Sequence, residues 1–268
     1  MTGADLTPAT MLTAMRRERP LVHCITNYVA MNIAANVVLA AGASPAMVHA
    51  EAEAGEFAAI AGALTVNIGT LSPDWVKGMR AAATAAAATG RPWVLDPVAH
   101  HATAFRREAT AGLLALSPTI VRGNASEIIA LAGAASRGQG VDSRDSVAAA
   151  EDAARALAAG HGAVVAVTGA TDFVTDGTRA VRIDGGSPLM PQVTALGCSL
   201  TCVVGAFAAA FPRAPFEAAV AALTLFAVAG ERAAAGAHGP GSFGWRFLDA
   251  LAAVDGAALD AEARVAQA

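Results

Sequence analysis

The chain has 268 residues, of which 55% are hydrophobic and 15% are charged, and its formal net charge is -4. A chain of this length buries enough apolar surface to form one globular domain, or two small ones, without disulfides or structural metals. The mild negative charge and the single lysine, Lys77, argue against a nucleic-acid-binding protein and against binding of polyanions.

The mean hydropathy is high, at +0.48, but the longest apolar run, 218–230, is shorter than the roughly 18 residues that a membrane span requires. The first 20 residues contain no apolar core of a secretory signal. The three cysteines, Cys24, Cys198 and Cys202, are odd in number and lack CxxC spacing, which indicates free thiols. We therefore expect a cytoplasmic protein with no membrane partner.

Short β-branched runs alternate with alanine-rich segments of helical period, a pattern typical of an α/β fold with a mostly parallel sheet. The predicted strands cover 21–24, 46–49, 64–68, 93–95, 119–121 and 164–167. In such sheets ligands bind beyond the carboxyl ends of the strands. The polar residues at these ends are therefore expected on one rim: Thr26, Asn27, Asn67, Asp96, Arg122, Asn124 and Thr168.

The second half of the chain changes pattern. Two short runs around Asp176 and Gly177 predict an antiparallel hairpin at the sheet edge, and 137–145 is the best candidate for an exposed loop. Helical periods follow over 197–211 and 215–235, with one more helix after the glycine-rich turn at 239–241. Because no repeat or shift of composition interrupts the chain, residues 1–268 are interpreted as a single domain.

Segment 193–207, VTALGCSLTCVVGAF, is the clearest candidate for a functional site. A turn of small residues ending at Gly197 leads into an apolar helix, and a helix N-terminus attracts anions such as phosphate. Cys198 lies in the first helical turn, where the dipole is expected to lower its thiol pKa and allow it to accept a proton. The alternative is that Cys198 and Cys202 are small core residues on one helix face.

Two further segments carry carboxylates. In 121–133, Asn124 and Glu127 have the spacing of a helix capping box, and Glu127 is equally suited to a hydrated Mg²⁺ ion, with Arg122 on a phosphate oxygen. In VLDPVAHHATAFR, 94–106, Asp96 is either a turn cap or a second acid facing metal and phosphates. The adjacent His100 and His101 are interpreted as polar loop residues.

The N-terminal segment 21–50 predicts a strand, a polar turn, a helix and a second strand. Asn27 and Asn36 are suited to capping or to a hydrogen bond with a ligand, and Met47 to the core or to the wall of an apolar pocket. The chain contains no GxxxxGK[ST], GxSxG or HExxH motif. Any phosphate chemistry therefore depends on backbone amides, arginine and a metal.

These segments together resemble the hydroxyethylthiazole kinase family, ribokinase-like enzymes of thiamine salvage. The resemblance rests on the order of PLVHCITNYVAMNIAANVVLAAGASPAMVHA, NIGTL, VLDPV, VRGNASEI, VAVTG, GCSLT and GPGSF. It implies a ribokinase-like three-layer α/β/α sandwich with a mostly parallel sheet and an antiparallel edge hairpin. It also implies ATP-dependent phosphorylation of the primary alcohol of 4-methyl-5-(2-hydroxyethyl)thiazole, with Mg²⁺ as cofactor, by a homotrimer with pockets near subunit contacts.

The resemblance also assigns roles by position. It places Met47, Asn27 and Ala195 at the thiazole, and it places Asp96 and Glu127 near Mg²⁺. Arg122, Thr168 and Asn124 would contact ATP. Gly197 would form the anion hole, with Cys198 at the position where most ribokinase-like relatives hold an aspartate base.

The chain departs from the family pattern at two places. The usual TGxGC is TALGC, so Ala195 replaces a glycine, and the usual DPVGxGAT is DPVAHHAT, so Ala99 and His101 replace two more. An added Cβ hinders any conformation with positive φ. The departures leave open a kinase of another heterocyclic alcohol, of the hydroxymethylpyrimidine type, or a thiazole- or nucleotide-binding protein with weakened catalysis. A metal hydrolase using His100 and His101 is excluded by their spacing.

Overall fold

The structure, a computed structural model, describes residues 6–135 and 147–268; the loop predicted at 137–145 lies outside these ranges. Polar or glycine residues follow most of the β-branched runs and end the strands there. The strands are β1 (Leu21–Ile25), β2 (Ser44–Ala46), β3 (Ala63–Asn67), β4 (Trp93–Asp96), β5 (Ile120–Asn124), β6 (Val164–Thr168), β7 (Thr171–Thr175), β8 (Ala180–Asp184) and β9 (Arg264–Gln267).

The helices follow the alanine-rich segments, and several begin at side-chain caps such as Thr7, Ser72, Thr103 and Asp255. Across the described ranges, none of them combines the length and the apolar character that a membrane span would need. They are α1 (Pro8–Glu18), α2 (Met31–Ala41), α3 (Glu51–Ile60), α4 (Pro73–Ala88), α5 (Ala104–Leu114), α6 (Ala125–Ala135), α7 (Val147–His161), α8 (Leu196–Ala210), α9 (Pro215–Ala234), α10 (Pro240–Ala253) and α11 (Gly256–Glu262).

The described strands form one continuous sheet in the order β2-β1-β3-β4-β5-β6-β7-β8-β9. The first six strands of this order are parallel, and the last three join by antiparallel pairing. The predicted α/β fold with an antiparallel edge hairpin is therefore confirmed. Because parallel strands point the same way, β1, β3, β4, β5 and β6 end at a common edge, where the site lies.

Helices cover both faces of the sheet and form a separate apolar core with each face. Strand residues alternate between the two cores, as a pleated strand requires: Val94 packs under α8, whereas Trp93 and Leu95 face α4. The first core includes buried residues of α1, α2, α8, α9, α10 and α11, and the second includes those of α3, α4, α5, α6 and α7. The three-layer arrangement expected from the resemblance is present.

The structure corrects the sequence prediction at two strands. The strand predicted at 46–49 is β2, two residues earlier, where Pro45 is tolerated because β2 is an edge strand. Residues 47–50 instead form a connection whose Val48 carbonyl lies 2.6 Å from His23 Nε2. The C-terminal edge strand β9 was not predicted, because its Arg264-Val265-Ala266-Gln267 segment is exposed throughout and lacks an apolar run.

Candidate active site

A chain of hydrogen bonds links the ends of β1, β3 and β4. Asn27, just after β1, donates from Nδ2 to Asn67 Oδ1 at 2.9 Å and to Cys198 Sγ at 3.3 Å. Asn67 donates to Asp96 Oδ2 at 2.7 Å, and these two residues are direct partners in the parallel register. The rim predicted from the strand ends is therefore present, with the N-terminal turn of α8 beside it.

Asp96 is the last residue of β4, and its side chain is 0% exposed. Its Oδ2 accepts from Asn67 and from Thr201 Oγ1, each at 2.7 Å, while its buried Oδ1 has no hydrogen-bond partner among the residues that the structure describes. Burial raises the pKa of Asp96 to about 6, and Arg122 opposes this rise while Glu127 adds to it. The carboxylate is thus a buried acceptor with a free oxygen rather than a turn cap.

Arg122 lies within β5 and reaches the N-terminus of α8. Its Nη2 donates to Thr168 Oγ1 at 2.6 Å, and its Nη1 lies 3.5 Å from Asp96 Oδ2. A Cβ at Gly197 would lie 3.2 Å from both terminal nitrogens of the guanidinium, so only glycine leaves comfortable room for it there. A fixed positive charge therefore lies beside the positive end of a helix, which is a strong arrangement for binding phosphate.

A cavity of about 600 Å³ opens beside this charge. Arg122, Thr168, Gly197 and Leu196 line one part of it, and apolar residues such as Phe226 line another. Half-buried Asp172, which the sequence analysis missed, also lines the cavity and accepts from the Gly169 amide at 2.9 Å. Burial raises the pKa of Asp172 to about 6, although the hydrogen bond from the Gly169 amide and the charge of Arg122 both act to lower it. The signal for Asp172 was its position just after β6, at the start of the hairpin.

Glu127 and Asn124 form the capping box that their spacing predicted. The Glu127 amide donates to Asn124 Oδ1, and the Asn124 amide donates to Glu127 Oε2, both at 2.9 Å. The other carboxylate oxygen of Glu127 accepts from the Ala99 amide at 2.9 Å. Asn124 is therefore engaged at the start of α6, and it is not among the residues lining the cavity. Glu127 is buried and adds its negative charge to the surroundings of Asp96.

The predicted low pKa of Cys198 is wrong. Burial and the negative charge of Asp96 raise the pKa of the thiol, and hydrogen bonding from Asn27 and the charge of Arg122 only partly oppose this. The helix dipole is thus outweighed, because the sulfur is mostly removed from water and lies near a carboxylate. The core interpretation holds for Cys202, which is buried against Thr65, 3.6 Å from its hydroxyl oxygen.

Both departures from the family pattern fall on strained backbone. Ala195, the residue before α8, has φ 64° and ψ 6°, and Ala99, in the loop after β4, has φ 47° and ψ 36°. A residue with a Cβ is destabilised in this left-handed region by roughly 1–2 kcal/mol. Ala195 is anchored by its carbonyl, which accepts from the amide and hydroxyl of Ser199 at 2.9 and 2.8 Å. The Cβ atoms of Ala195 and Ala99 do not prevent the left-handed conformation, but they leave backbone strain in both loops.

The two histidines after Ala99 differ from each other. His101 is exposed, as predicted for a polar loop residue, whereas His100 is buried in a short 3-10 helix, so the prediction is wrong for His100. Burial lowers the pKa of His100, and His101 adds to this effect. Within the described parts of the chain, no three His, Cys, Asp or Glu side chains are grouped so as to hold a metal ion by themselves.

The remaining predicted ligand residues, Asn27, Met47 and Asn36, lie in three different surroundings. Asn27 belongs to the rim, and its Oδ1 also accepts from the Ala30 amide at 3.1 Å. Met47 is half-buried against the core that contains α8. Asn36 lies on the exposed face of α2, where its side chain donates to Asn32 within the same helix. Thr201 was missed, although its position three residues after Cys198 places both on the same side of α8.

The chain matches the model of the hydroxyethylthiazole kinase family over residues 12–256. It is 77% identical to a hydroxyethylthiazole kinase of Rhizobium etli (strain CIAT 652) over 95% of this chain and 99% of the relative. It is 68% identical to one of Cereibacter sphaeroides (strain ATCC 17029 / ATH 2.4.9), over 96% of this chain and 97% of the relative.

Solved structures agree with the sequence relatives. The hydroxyethylthiazole kinase protein of Pyrococcus horikoshii OT3 superposes with a TM-score of 0.88 at 36% identity, covering 97% of this chain and 98% of that one. The pyridoxal kinase of Staphylococcus aureus, at 17% identity and a TM-score of 0.59 over 79% of this chain and 87% of that one, shares the ribokinase-like fold alone. This chain belongs to the hydroxyethylthiazole kinase family.

Proposed function

We propose that this chain transfers the γ-phosphoryl group of ATP to the primary alcohol of 4-methyl-5-(2-hydroxyethyl)thiazole, a step of thiamine salvage. The observation that carries the proposal is the packing of the Arg122 guanidinium against Gly197 at the N-terminus of α8. This positive centre lines the cavity and lies 3.5 Å from Asp96, and the Cys198 thiol, which is bonded to Asn27, lies next to it in the first turn of α8. The family membership supplies the identity of the alcohol.

ATP would occupy the cavity of about 600 Å³, with its phosphates directed toward Arg122 and the free amides of the α8 N-terminus. Thr168 would contact the nucleotide from the end of β6 and also fixes the guanidinium through their 2.6 Å hydrogen bond. Asn124 remains a prediction for ATP contact, and its support is limited to its place beside Thr168 in the strand register. The phosphoryl group would then lie within reach of the rim.

The thiazole alcohol would bind on the other side of Gly197, near Asn27, Met47 and Ala195. Cys198 and Gly197 are the proposed catalytic residues there. Because the pKa of the Cys198 thiol is raised, the thiol is neutral at pH 7 and serves to orient the alcohol with Asn27. Phosphoryl transfer passes through a loose transition state, so orientation and charge neutralisation contribute more than early removal of the alcohol proton.

Asp96 and Glu127 suit a divalent cation. Within 6–135 and 147–268, the buried Oδ1 of Asp96 has no partner, and each oxygen of Glu127 accepts a single amide and so keeps a free lone pair. Mg²⁺ prefers one or two carboxylates together with phosphate oxygens, so these two residues are proposed to hold it. When bound, the cation neutralises charge on the phosphates.

We also propose that residues 1–268 form a single kinase domain that assembles as a cytoplasmic homotrimer. The continuous sheet supports the single domain, and three free cysteines suit a reducing compartment. Tyr28 and Val29, directly after Asn27, are 65% and 60% exposed, which suits a subunit contact near the site. Light scattering coupled to gel filtration tests the trimer, and a monomeric mass would contradict it.

The test of function is ADP release by the purified chain with MgATP, with and without the thiazole alcohol, and with EDTA as the control. ADP that depends on both the alcohol and the metal supports the proposal. A hydroxymethylpyrimidine in place of the thiazole tests the acceptor, and faster turnover of the pyrimidine would contradict the assignment. Binding of both ligands without ADP would also contradict it and would indicate that the strained turns have abolished catalysis.

A further inference from the structure

Arg106 lies in the first turn of α5, two residues after the helix begins at Ala104. A positive charge near a helix N-terminus is disfavoured by the helix dipole, and the first turn of α5 contains no acidic residue to offset it. Among the described residues, Arg106 also forms no salt bridge. Its side chain must therefore be held by other contacts.

These contacts are three main-chain carbonyls from two separate loops. Nη1 donates to the Ile68 carbonyl at 2.8 Å and to the Val98 carbonyl at 2.9 Å, and Nη2 donates to the Gly69 carbonyl. Ile68 and Gly69 follow β3, whereas Val98 belongs to the loop that follows β4. Hydrogen bonds from a charged donor are stronger than neutral ones, and only a planar guanidinium presents several donors in fixed directions.

The loop after β3 bears directly on the alcohol side of the site. A Cβ on Gly69 would lie 2.5–2.7 Å from three atoms of the Asn27 side chain, so the Gly69 backbone packs directly against that amide. The Gly69 amide also donates to Asn67 Oδ1 at 3.0 Å. A shift of this loop would therefore move the side-chain amides of both Asn27 and Asn67, and the Asn27 amide is the one that donates to Cys198.

The loop after β4 bears on the phosphate side. Val98 directly precedes the strained Ala99, whose amide donates to Glu127. The Val98 carbonyl and the Ala99 amide belong to one peptide group, which therefore contacts Arg106 on one side and Glu127 of α6 on the other. Residues with left-handed backbone persist only where their surroundings hold them, and Arg106 provides one of these contacts.

We propose that Arg106 is a positioning residue that fixes the loops after β3 and β4 relative to each other, so that the alcohol and the phosphoryl group are held in line. The inference rests on the proposed kinase function for its kinetic consequence. Its structural content, a single side chain that joins the two loops, can be tested without activity.

The experiment compares Arg106→Ala, Arg106→Lys and the matched control Arg107→Ala in the full chain. Arg107 is the next residue, and its guanidinium donates to the exposed His101 carbonyl, at 2.8 Å, and not to either of the two loops. We expect Arg106→Ala to lower kcat about 100-fold, as loss of alignment does, while the KM for ATP changes by no more than about 3-fold. Arg106→Lys should recover only part of kcat, because one ammonium group cannot contact both loops. Arg107→Ala should have the kcat of the original chain.

Two readouts separate positioning from general stability. Guanidinium ion, far below denaturing concentrations, is expected to restore part of kcat to Arg106→Ala by occupying the vacated position. Amide hydrogen exchange is expected to accelerate in peptides covering 67–70 and 97–100, which contain the Gly69 and Ala99 amides.

The proposal is overturned if Arg106→Ala keeps its kcat, or if exchange accelerates uniformly along the chain with no rescue by guanidinium. Should the alanine variant fail to fold, Arg106→Lys decides, since unchanged kcat and unchanged exchange in both loops would overturn the proposal. If the original chain releases no ADP, the kinase function fails while the exchange data still decide whether Arg106 joins the loops.

Discussion

The phosphate side and the alcohol side of the site are built by opposite means. On the phosphate side, Arg122 and Asp96 are charged, and each keeps one buried atom without a hydrogen-bond partner in the described part of the chain, the Nε of the arginine and the Oδ1 of the aspartate. On the alcohol side, Asn27 and Cys198 are neutral, and the two Asn27 side-chain atoms are engaged in hydrogen bonds. The first side is ready to receive charge, whereas the second is fixed to hold a neutral group.

Removal of the arginine charge is expected to have the largest effect. Arg122→Ala should lower kcat by about 100- to 1000-fold, because a fixed group that stabilises transition-state charge is lost. Steady-state ADP release measures this, with exposed Arg213→Ala as the control. Arg122→Lys should recover little, because an ammonium cannot contact Thr168 and the phosphates in the same planar geometry. If the kcat of Arg122→Ala lay within about 3-fold of that of the original chain, the phosphate side would not depend on a fixed charge, and the contrast between the two sides would be wrong.

Removal of the buried carboxylate is expected to change the pH dependence of stability. Because the pKa of Asp96 is raised from 3.8 to about 6, the native state binds the proton more tightly than the unfolded chain does. The stability that this proton contributes is fully present below pH 4 and is lost as the pH rises through about 6.

The corresponding variant is Asp96→Asn, with exposed Asp249→Asn as the control. Between pH 4 and pH 7 the original chain should lose about 2 kcal/mol of unfolding free energy relative to Asp96→Asn. Urea unfolding at several pH values measures the difference. Parallel curves for the two proteins would show that Asp96 has an ordinary pKa and that the phosphate side is less strained electrostatically than its burial indicates.

Changes on the neutral side are expected to be milder. Cys198→Asp should keep activity within about 10-fold of the original chain, because either side chain can interact with the alcohol proton and the base contributes little to a loose transition state. Cys198→Ser, which keeps a neutral donor, should do the same. A folded Cys198→Asp variant without activity would refute the role given to this side chain, and it would show that the alcohol side does not tolerate charge.

The smallest effect is expected where neither side is altered chemically. Ala195→Gly relieves the left-handed strain before α8 but adds freedom to the unfolded chain, so the net gain should be about 0.5–1 kcal/mol. Thermal unfolding measures it, and Ser117→Gly, at φ 57° between α5 and β5, is the matched control away from the site. A loss of stability at Ala195 with a gain at Ser117 would mean that the Cβ of Ala195 makes contacts that outweigh the strain.

Sequence alone predicted the strand ends that form the rim, because Asn67, Asp96 and Thr168 lie at or just after the ends of short apolar runs whose direction in a parallel sheet is known. It also predicted the capping box at Asn124 and Glu127, which depends only on local spacing. It did not predict the raised pKa of Cys198, since burial and the distant Asp96 arise from tertiary packing. The contacts of Arg106 and Thr201 were not predicted for the same reason, because each of these side chains contacts a segment that is distant in the sequence.

The chain of amides from Asn27 to Asp96 has a fixed polarity. An ionised carboxylate only accepts hydrogen bonds, so Asn67 must turn its NH₂ group toward Asp96 and its carbonyl toward Asn27 and the Gly69 amide. Asn27 must then present its own NH₂ group, and this group faces Cys198. The buried acid and the main-chain amides of Gly69 and Ala30 thus all require the same orientation of the two asparagine side chains, and that orientation gives the alcohol pocket a donor rather than an acceptor.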